Sequence, residues 1–221
     1  MEILIKLNNQ TSGRDKLARL LQYMAKSGWY YMQQNENISH KNIDKLKSLE
    51  YNLATFRKLL RFGRFVDHLY LALHNIGDNK HITKITATAA KLAYTAFLLY
   101  DHVIWIARIG IIDIDISKWT KSANRFWAIT IALQLSLNIY EYFKIFNCKK
   151  DVDKISSLIE GMKWRQDLTL DTLKNICDIV IPLSGLGLLK VNSGVVGTFG
   201  TISSLAAILI LLNPKFKFFI S

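Results

Sequence analysis

The sequence predicts an all-α membrane protein built of long antiparallel helices, and three observations lead to this fold class. Apolar residues recur at three- and four-residue steps along most of residues 12–147, which is the period of helices with one apolar face. Only two prolines occur in 221 residues, so few positions interrupt a helix. Residues 191–213 carry no charged side chain, and a segment of this length can cross a bilayer core of about 30 Å.

N-cap residues, and the polar or charged segments between the apolar periods, predict where each helix begins and ends. Ser12 and Asp15 form a capping box, and Ser39 and Ser117 are suitable N-caps. Four helices are therefore expected before the C-terminal quarter, at about residues 12–32, 39–75, 83–108 and 118–147. We predict three regions: a helical membrane-associated domain at 1–170, a C-terminal hydrophobic hairpin or transmembrane segment at 171–213, and a short basic cytosolic tail at 214–221.

The composition indicates a membrane partner and gives no support for catalysis. The chain is 50% hydrophobic and carries a net charge of +12, a combination that favours an anionic bilayer surface over nucleic acid. Cys148 and Cys177 lack the close spacing of a metal site, and the five histidines are dispersed. No phosphate loop or nucleophile–base arrangement is present, so we expect neither an enzyme nor a bound cofactor or metal.

The second helix carries a narrow cationic stripe on an otherwise apolar surface. At about 100° per residue, Arg57, Arg61, Arg64 and His68 fall within about 60° of one another, with Lys58 beside them. Such a helix is typical of the membrane interface, where its cations contact lipid phosphates. The alternative is a core helix with one hydrated stripe. The apolar residues assigned to membrane binding are Phe56, Leu60, Phe62 and Phe65.

Polar residues of the third helix suggest a structural pair. Asp101 and Arg108 lie on one face, and Asp101 is expected to pair with a cation and fix helix packing. Arg108 is the assigned partner, and His102 and Arg125 are alternatives. A polar site at membrane depth is the functional alternative.

Small residues in the last apolar segment suggest a self-association surface. Gly197, Gly200 and Ser204 recur at short helical steps, which lets transmembrane helices approach closely. The ordinary glycine content of a membrane helix explains the pattern equally well.

Charge at the C-terminus predicts the orientation. Lys215 and Lys217 follow the last apolar segment, so that end is expected in the cytosol, as is the basic N-terminal half. Both ends on one side require an even number of crossings. The second membrane crossing must be formed by the third helix, the fourth helix or residues 179–189, and the sequence leaves these alternatives open.

Several ordered motifs resemble the peroxin-11 family of peroxisomal membrane proteins. The motifs are NNQTSGRDK at 8–16, LLQY at 20–23, RKLLRFG at 57–63, DHVIW at 101–105 and ARIG at 107–110. The resemblance runs in order over nearly the whole chain.

The resemblance implies an integral protein of the peroxisomal membrane with both termini in the cytosol. It implies elongation of that membrane, self-association into homo-oligomers, and fission and proliferation of peroxisomes with a dynamin-related GTPase and its membrane adaptors. The helix that carries Arg57, Lys58, Arg61 and Gly63 matches the family's membrane-deforming element. A channel for small metabolites, lined by Asp101, Gln134, Asn138 and Glu141, is the alternative function.

Overall fold

Seven α-helices make up the part of the chain that the computed structural model describes, which is residue 5 and residues 7–35, 39–74, 82–148 and 165–216. The described residues contain no β-strand, so the all-α prediction is confirmed. The division of the chain into three regions stays a prediction, and the charged connection at 149–164 lies outside the described residues. The helices are α1 (Thr11–Gln33), α2 (His40–Leu60), α3 (Arg64–His74), α4 (Ile82–Arg108), α5 (Ile116–Cys148), α6 (Gln166–Gly185) and α7 (Ser193–Leu212), and a 3₁₀ turn at Pro214–Phe216 follows.

Six of these helices form a ring in which each helix packs on the next. The order is α1, α2, α4, α5, α6 and α7, and α7 closes the ring against α1. Asp15 pairs with Arg57 while Lys26 pairs with Glu50, so α1 and α2 run antiparallel. In the pairs α2–α4, α4–α5, α5–α6 and α7–α1, residues early in one helix likewise contact residues late in the other, so these pairs are also antiparallel. A short connection at 186–192 reverses the chain between α6 and α7.

The predicted helix at 39–75 is two helices, because Gly63 interrupts it. The backbone of Gly63 has φ +80°, a left-handed conformation that only glycine adopts at little cost. Its N–H donates to His102 Nε2 at 3.0 Å, which anchors the turn to α4. Beyond this turn α3 packs along α4 and lies at the side of the ring.

Two of the predicted helix caps are wrong. No side chain caps α1, and Asp15 is buried against Arg57 instead of closing a capping box with Ser12. At α5 the cap is Asp115 and not Ser117, because its carboxylate accepts from the Ser117 and Lys118 amides at 3.0 and 3.2 Å. The Lys118 amide, helped by the Lys118 side chain, holds the pKa of Asp115 below its usual range.

Every ring helix exposes large apolar side chains on the outer surface, although the first half of α2 also exposes Lys41 and Lys45, and α5 exposes Lys121 and Arg125. Large side chains such as Leu21, Leu99, Ile139, Ile176 and Leu205 are between 44% and 53% exposed. Their polar neighbours face inward, and an aromatic core joins α4 to α5 around Phe97 and Leu98. The structure therefore combines an extensive exposed apolar surface with charged side chains in its interior, both of which are unusual in a water-soluble bundle.

Candidate functional site

A polar cavity of about 1010 Å³ runs through the middle of the ring. All six ring helices and α3 contribute to its wall. On α4 the lining residues extend from Lys84 to Arg108, a distance of roughly 36 Å at about 1.5 Å per residue. The cavity is therefore as long as a bilayer core is thick, which is about 30 Å.

The cavity wall is strongly cationic. Ten Lys and Arg residues line it against four Asp, which leaves an excess of six positive charges. The cations are Lys16, Arg19, Arg57, Lys58, Arg61, Arg64, Lys84, Lys91, Arg108 and Lys174, and the acids are Asp15, Asp101, Asp171 and Asp178.

A buried charge cluster of Asp15, Arg57, Lys58, Arg61 and Asp101 joins α1, α2 and α4. Arg57 Nε donates to Asp15 Oδ1 at 3.0 Å, and Arg61 Nη2 lies 2.7 Å from Asp101 Oδ2. Lys58 also pairs with Asp101. The side chains of this cluster are at most 13% exposed, so their charges compensate one another inside the protein.

The cationic stripe of the predicted interfacial helix faces the cavity in this structure. Arg57, Lys58 and Arg61 belong to the buried charge cluster, and Arg64 and His68 line the wall farther along. For Arg57 or Arg61 to reach lipid phosphates, α2 would have to leave Asp15 and Asp101. The membrane-binding role assigned to these five residues stays a prediction.

The apolar residues assigned to membrane binding divide into two groups. Phe56 and Phe62 are 47% and 54% exposed on the outer surface. Leu60 and Phe65 are half-buried, and the Phe65 ring packs edge-on against His102. Their membrane contact also stays a prediction.

Asp101 does not pair with Arg108, the partner that the sequence predicted for it. It is held by Lys58 and Arg61, whereas Arg108 Nη1 donates to Thr55 Oγ1 at 2.9 Å and its guanidinium lies over the Tyr51 ring. Both contacts of Arg108 are made to α2, so the two residues of the predicted pair each fasten α4 to α2 separately.

Further polar contacts that the sequence did not single out hold the other side of the ring. Arg19 of α1 pairs with Asp178 of α6, and Ser203 of α7 donates to the same carboxylate. Asn138 donates to Asp171 Oδ2 at 3.1 Å. Because Arg19 and Asp178 are 159 residues apart, their spacing in the sequence could not indicate that they pair. The only signal of a buried ion pair was that each is a lone charged residue on an apolar helix face.

The structure brings together most of the residues proposed to line a channel. Asp101, Gln134 and Asn138 all face the cavity. Glu141 is buried in α5 but does not belong to the wall.

The small residues of α7 pack against α1 within the same chain. A Cβ at Gly197 would lie 2.5 Å from the Ser27 nitrogen, and one at Gly200 would lie 2.4 Å from the Tyr23 ring. Ser204 is fully buried and donates to the Gly200 carbonyl. The self-association assigned to Gly197, Gly200 and Ser204 stays a prediction, since the structure places them at an intramolecular contact.

Many apolar side chains of the ring face outward and a large group of charges faces inward, an arrangement that suits contact with a bilayer. Among the described helices α7 is long and apolar enough to cross a membrane. Fold and cavity together define an α-helical membrane protein with a polar interior. The chain belongs to the Peroxisomal biogenesis factor 11 family, whose model matches residues 1–212.

Curated relatives match almost the entire chain. Peroxisomal membrane protein 11A of Mus musculus is 30% identical, and that of Homo sapiens is 28% identical, with 98% of both chains covered in each comparison. A Peroxisomal membrane protein 11 homolog of Dictyostelium discoideum is 26% identical over 93% of this chain and 91% of its own length. No solved structure is a significant match.

Proposed function

We propose that this protein elongates and remodels the peroxisomal membrane and thereby promotes peroxisome fission and proliferation. The observation that carries this proposal is the unpartnered apolar face of α3. Val66, Tyr70 and Leu73 are 54%, 67% and 56% exposed, while Arg64 and His68 on the same helix face the cavity. An apolar wedge of this kind inserts into one leaflet, expands it and favours curvature.

The position of α3 supports insertion. The Gly63 turn separates it from α2, and α4 is the helix against which it packs. Phe62, 54% exposed, extends the apolar face across the turn. The wedge is therefore formed by outward apolar side chains, and it does not require the buried charge cluster to open.

Removing the apolar face of α3 is expected to abolish membrane deformation. In the full-length protein, Val66→Glu with Leu73→Glu places two charges where the wedge meets the acyl chains, so tubulation of anionic liposomes should fall at least about tenfold. Electron microscopy of proteoliposomes measures the tubules. The matched control, Val66→Ile with Leu73→Ile, keeps the face apolar and should tubulate as the parent does. A glutamate variant that keeps its helix content and membrane insertion but still makes tubules would contradict the proposal.

The partners and topology of this function are part of the proposal. We expect anionic phospholipid at the outer surface, homo-oligomers that concentrate the wedges, and a dynamin-related fission GTPase with its membrane adaptors. No catalytic chemistry is required of the protein itself. Cytosolic exposure of both termini is supported by the antiparallel ring, in which the start of α1 and the end of α7 lie at the same end.

The cavity favours a second candidate function, the conduction of small metabolites. Its lining spans the length of α4 and carries many charged side chains, while large apolar side chains are exposed on the outer surface. A water-filled path across a bilayer has this arrangement.

Narrowing the cavity tests conduction. Ala87 lines the wall, so Ala87→Trp should lower the single-channel conductance of the full-length protein in planar bilayers by about half or more, because the indole occupies the path. Leu92→Trp, on the outer face of the same helix, serves as the control and should leave conductance unchanged. Equal conductance in both variants would count against a path through this cavity.

A further inference from the structure

The cavity holds more cations than its acids neutralise. Each of the four lining aspartates is already engaged by a cation of the buried charge cluster, by Arg19 or by Lys174. Five lining cations have no carboxylate partner among the described residues: Lys16, Arg64, Lys84, Lys91 and Arg108.

Four of the lining groups converge where α1, α3 and α4 face one another. All four line the cavity; Arg64 and His68 lie one turn apart on α3, and Lys91 lies one turn before Tyr94 on α4. Lys16 of α1 follows Asp15, whose Oδ1 lies 3.9 Å from Nε of Arg61, three residues before Arg64. His68 is held in place by an edge-on contact with Tyr94, with ring centroids 4.7 Å apart. We call Lys16, Arg64, His68 and Lys91 the cationic pocket.

Neighbouring acids relieve only part of the repulsion among the cations of this pocket. Lys174 of α6 and Arg19 of α1 also act on Lys16, and both are already paired with aspartates. Asp15 is shared by Arg57 and Arg61, and Asp67, which neighbours His68 on α3, is exposed and does not line the cavity. Like charges in a partly enclosed space repel more strongly than in open water, and a bound anion would turn that repulsion into attraction.

We propose that the cationic pocket binds a phosphate-bearing anion that carries two or more negative charges. The planar guanidinium of Arg64 matches two phosphate oxygens, and Lys16 and Lys91 add point charges. Three cationic side chains call for a multivalent ligand, and the cavity volume of about 1010 Å³ admits solutes up to the size of a nucleotide. The inference deepens the second candidate function, since it names the class of solute, although equilibrium binding does not depend on conduction.

Binding of inorganic pyrophosphate to the full-length protein tests the proposal. Isothermal titration calorimetry in phosphatidylcholine nanodiscs should show saturable binding that weakens as salt is added. Arg64→Gln with Lys91→Gln should weaken it at least about tenfold, because two charge-assisted contacts are lost. Lys118→Gln removes a cation whose side chain is 84% exposed outside the cavity, and this control should bind as the parent does.

A second variant separates binding from folding. Lys16→Gln removes one of the repelling cations, so it should raise the thermal unfolding temperature without ligand and weaken pyrophosphate binding. A residue that serves only the fold would lower the unfolding temperature. Competition with dioctanoyl phosphatidylinositol 4-phosphate tells whether the bound phosphate comes from a free solute or a lipid headgroup, and pocket-dependent binding of either supports the proposal.

The proposal is overturned if neither phosphate ligand binds, or if the pocket variants bind as tightly as the parent. A protein that conducts but binds no pyrophosphate or phosphoinositide would remove the anion site and leave conduction standing. Binding that depends on the pocket, in a protein that does not conduct, would uphold the site and remove the channel.

Discussion

Replacing Asp101 by alanine is expected to lower the free energy of unfolding by about 3–5 kcal/mol. The carboxylate is 4% exposed and is the acid that Lys58 and Arg61 share. Alanine leaves both cations in the interior with no compensating charge at this position, and the cost of an unpaired buried charge exceeds that of a lost contact. The measurement is unfolding by SDS titration in micelles, followed by tryptophan fluorescence.

Two further variants determine whether charge is the cause. Asp113 is exposed in the turn before α5, so Asp113→Ala should change stability by less than about 0.5 kcal/mol. Adding Lys58→Met to Asp101→Ala removes one of the stranded cations and should restore part of the loss. The buried charge cluster does not stabilise the ring as described if Asp101→Ala unfolds at the same SDS concentration as the parent. The same conclusion follows if adding Lys58→Met lowers the free energy of unfolding further.

Introducing a side chain at Gly197 is expected to open the contact between α7 and α1. Even a methyl group at this position would lie 2.5 and 2.8 Å from the backbone nitrogen and Cα of Ser27. Because a helix backbone does not yield as a flexible side chain does, Gly197→Ala should cost about 1–3 kcal/mol and Gly197→Leu more. The same SDS titration measures the loss.

Gly28 of α1 provides the matched control. A Cβ there would meet only Leu46 Cδ1 at 3.8 Å, an ordinary contact. Gly28→Ala should therefore stabilise the protein by up to about 1 kcal/mol through helix propensity.

Crosslinking of the Gly197 variants tests the alternative role of this glycine in self-association. Weaker self-association without loss of stability would assign Gly197 to the interface between copies and contradict its intramolecular role.

Most of the secondary structure could be predicted from local pattern. The period of apolar residues and the charge-free segment at the C-terminus gave α1, α4, α5 and α7 within two residues of their observed limits. Helix α6, which begins at Gln166, was predicted only as the short segment 179–189. The break at Gly63 was missed, because a glycine inside an apolar period costs only about 1 kcal/mol and does not by itself end a helix. Its left-handed conformation depends on the contact with His102 of α4.

The candidate site was harder to predict because its residues come from distant parts of the chain. The stripe of Arg57, Arg61, Arg64 and His68 was visible on a helical wheel, but a wheel shows only which residues share a face. Whether that face meets lipid, water or protein depends on what lies opposite, and here Asp15 and Asp101 lie opposite. The small residues of α7 were ambiguous for the same reason.

The sequence by itself determined the helical class, the membrane character and, through the ordered motifs, the family. These follow from local periodicity, from composition and from residues that can be matched in order. The tertiary structure alone decided the direction in which the charges point. Closing six antiparallel helices into a ring places many apolar side chains outside and ten cations around one cavity, where the acids of facing helices compensate part of their charge. That juxtaposition creates the cavity, and no single helix contains it.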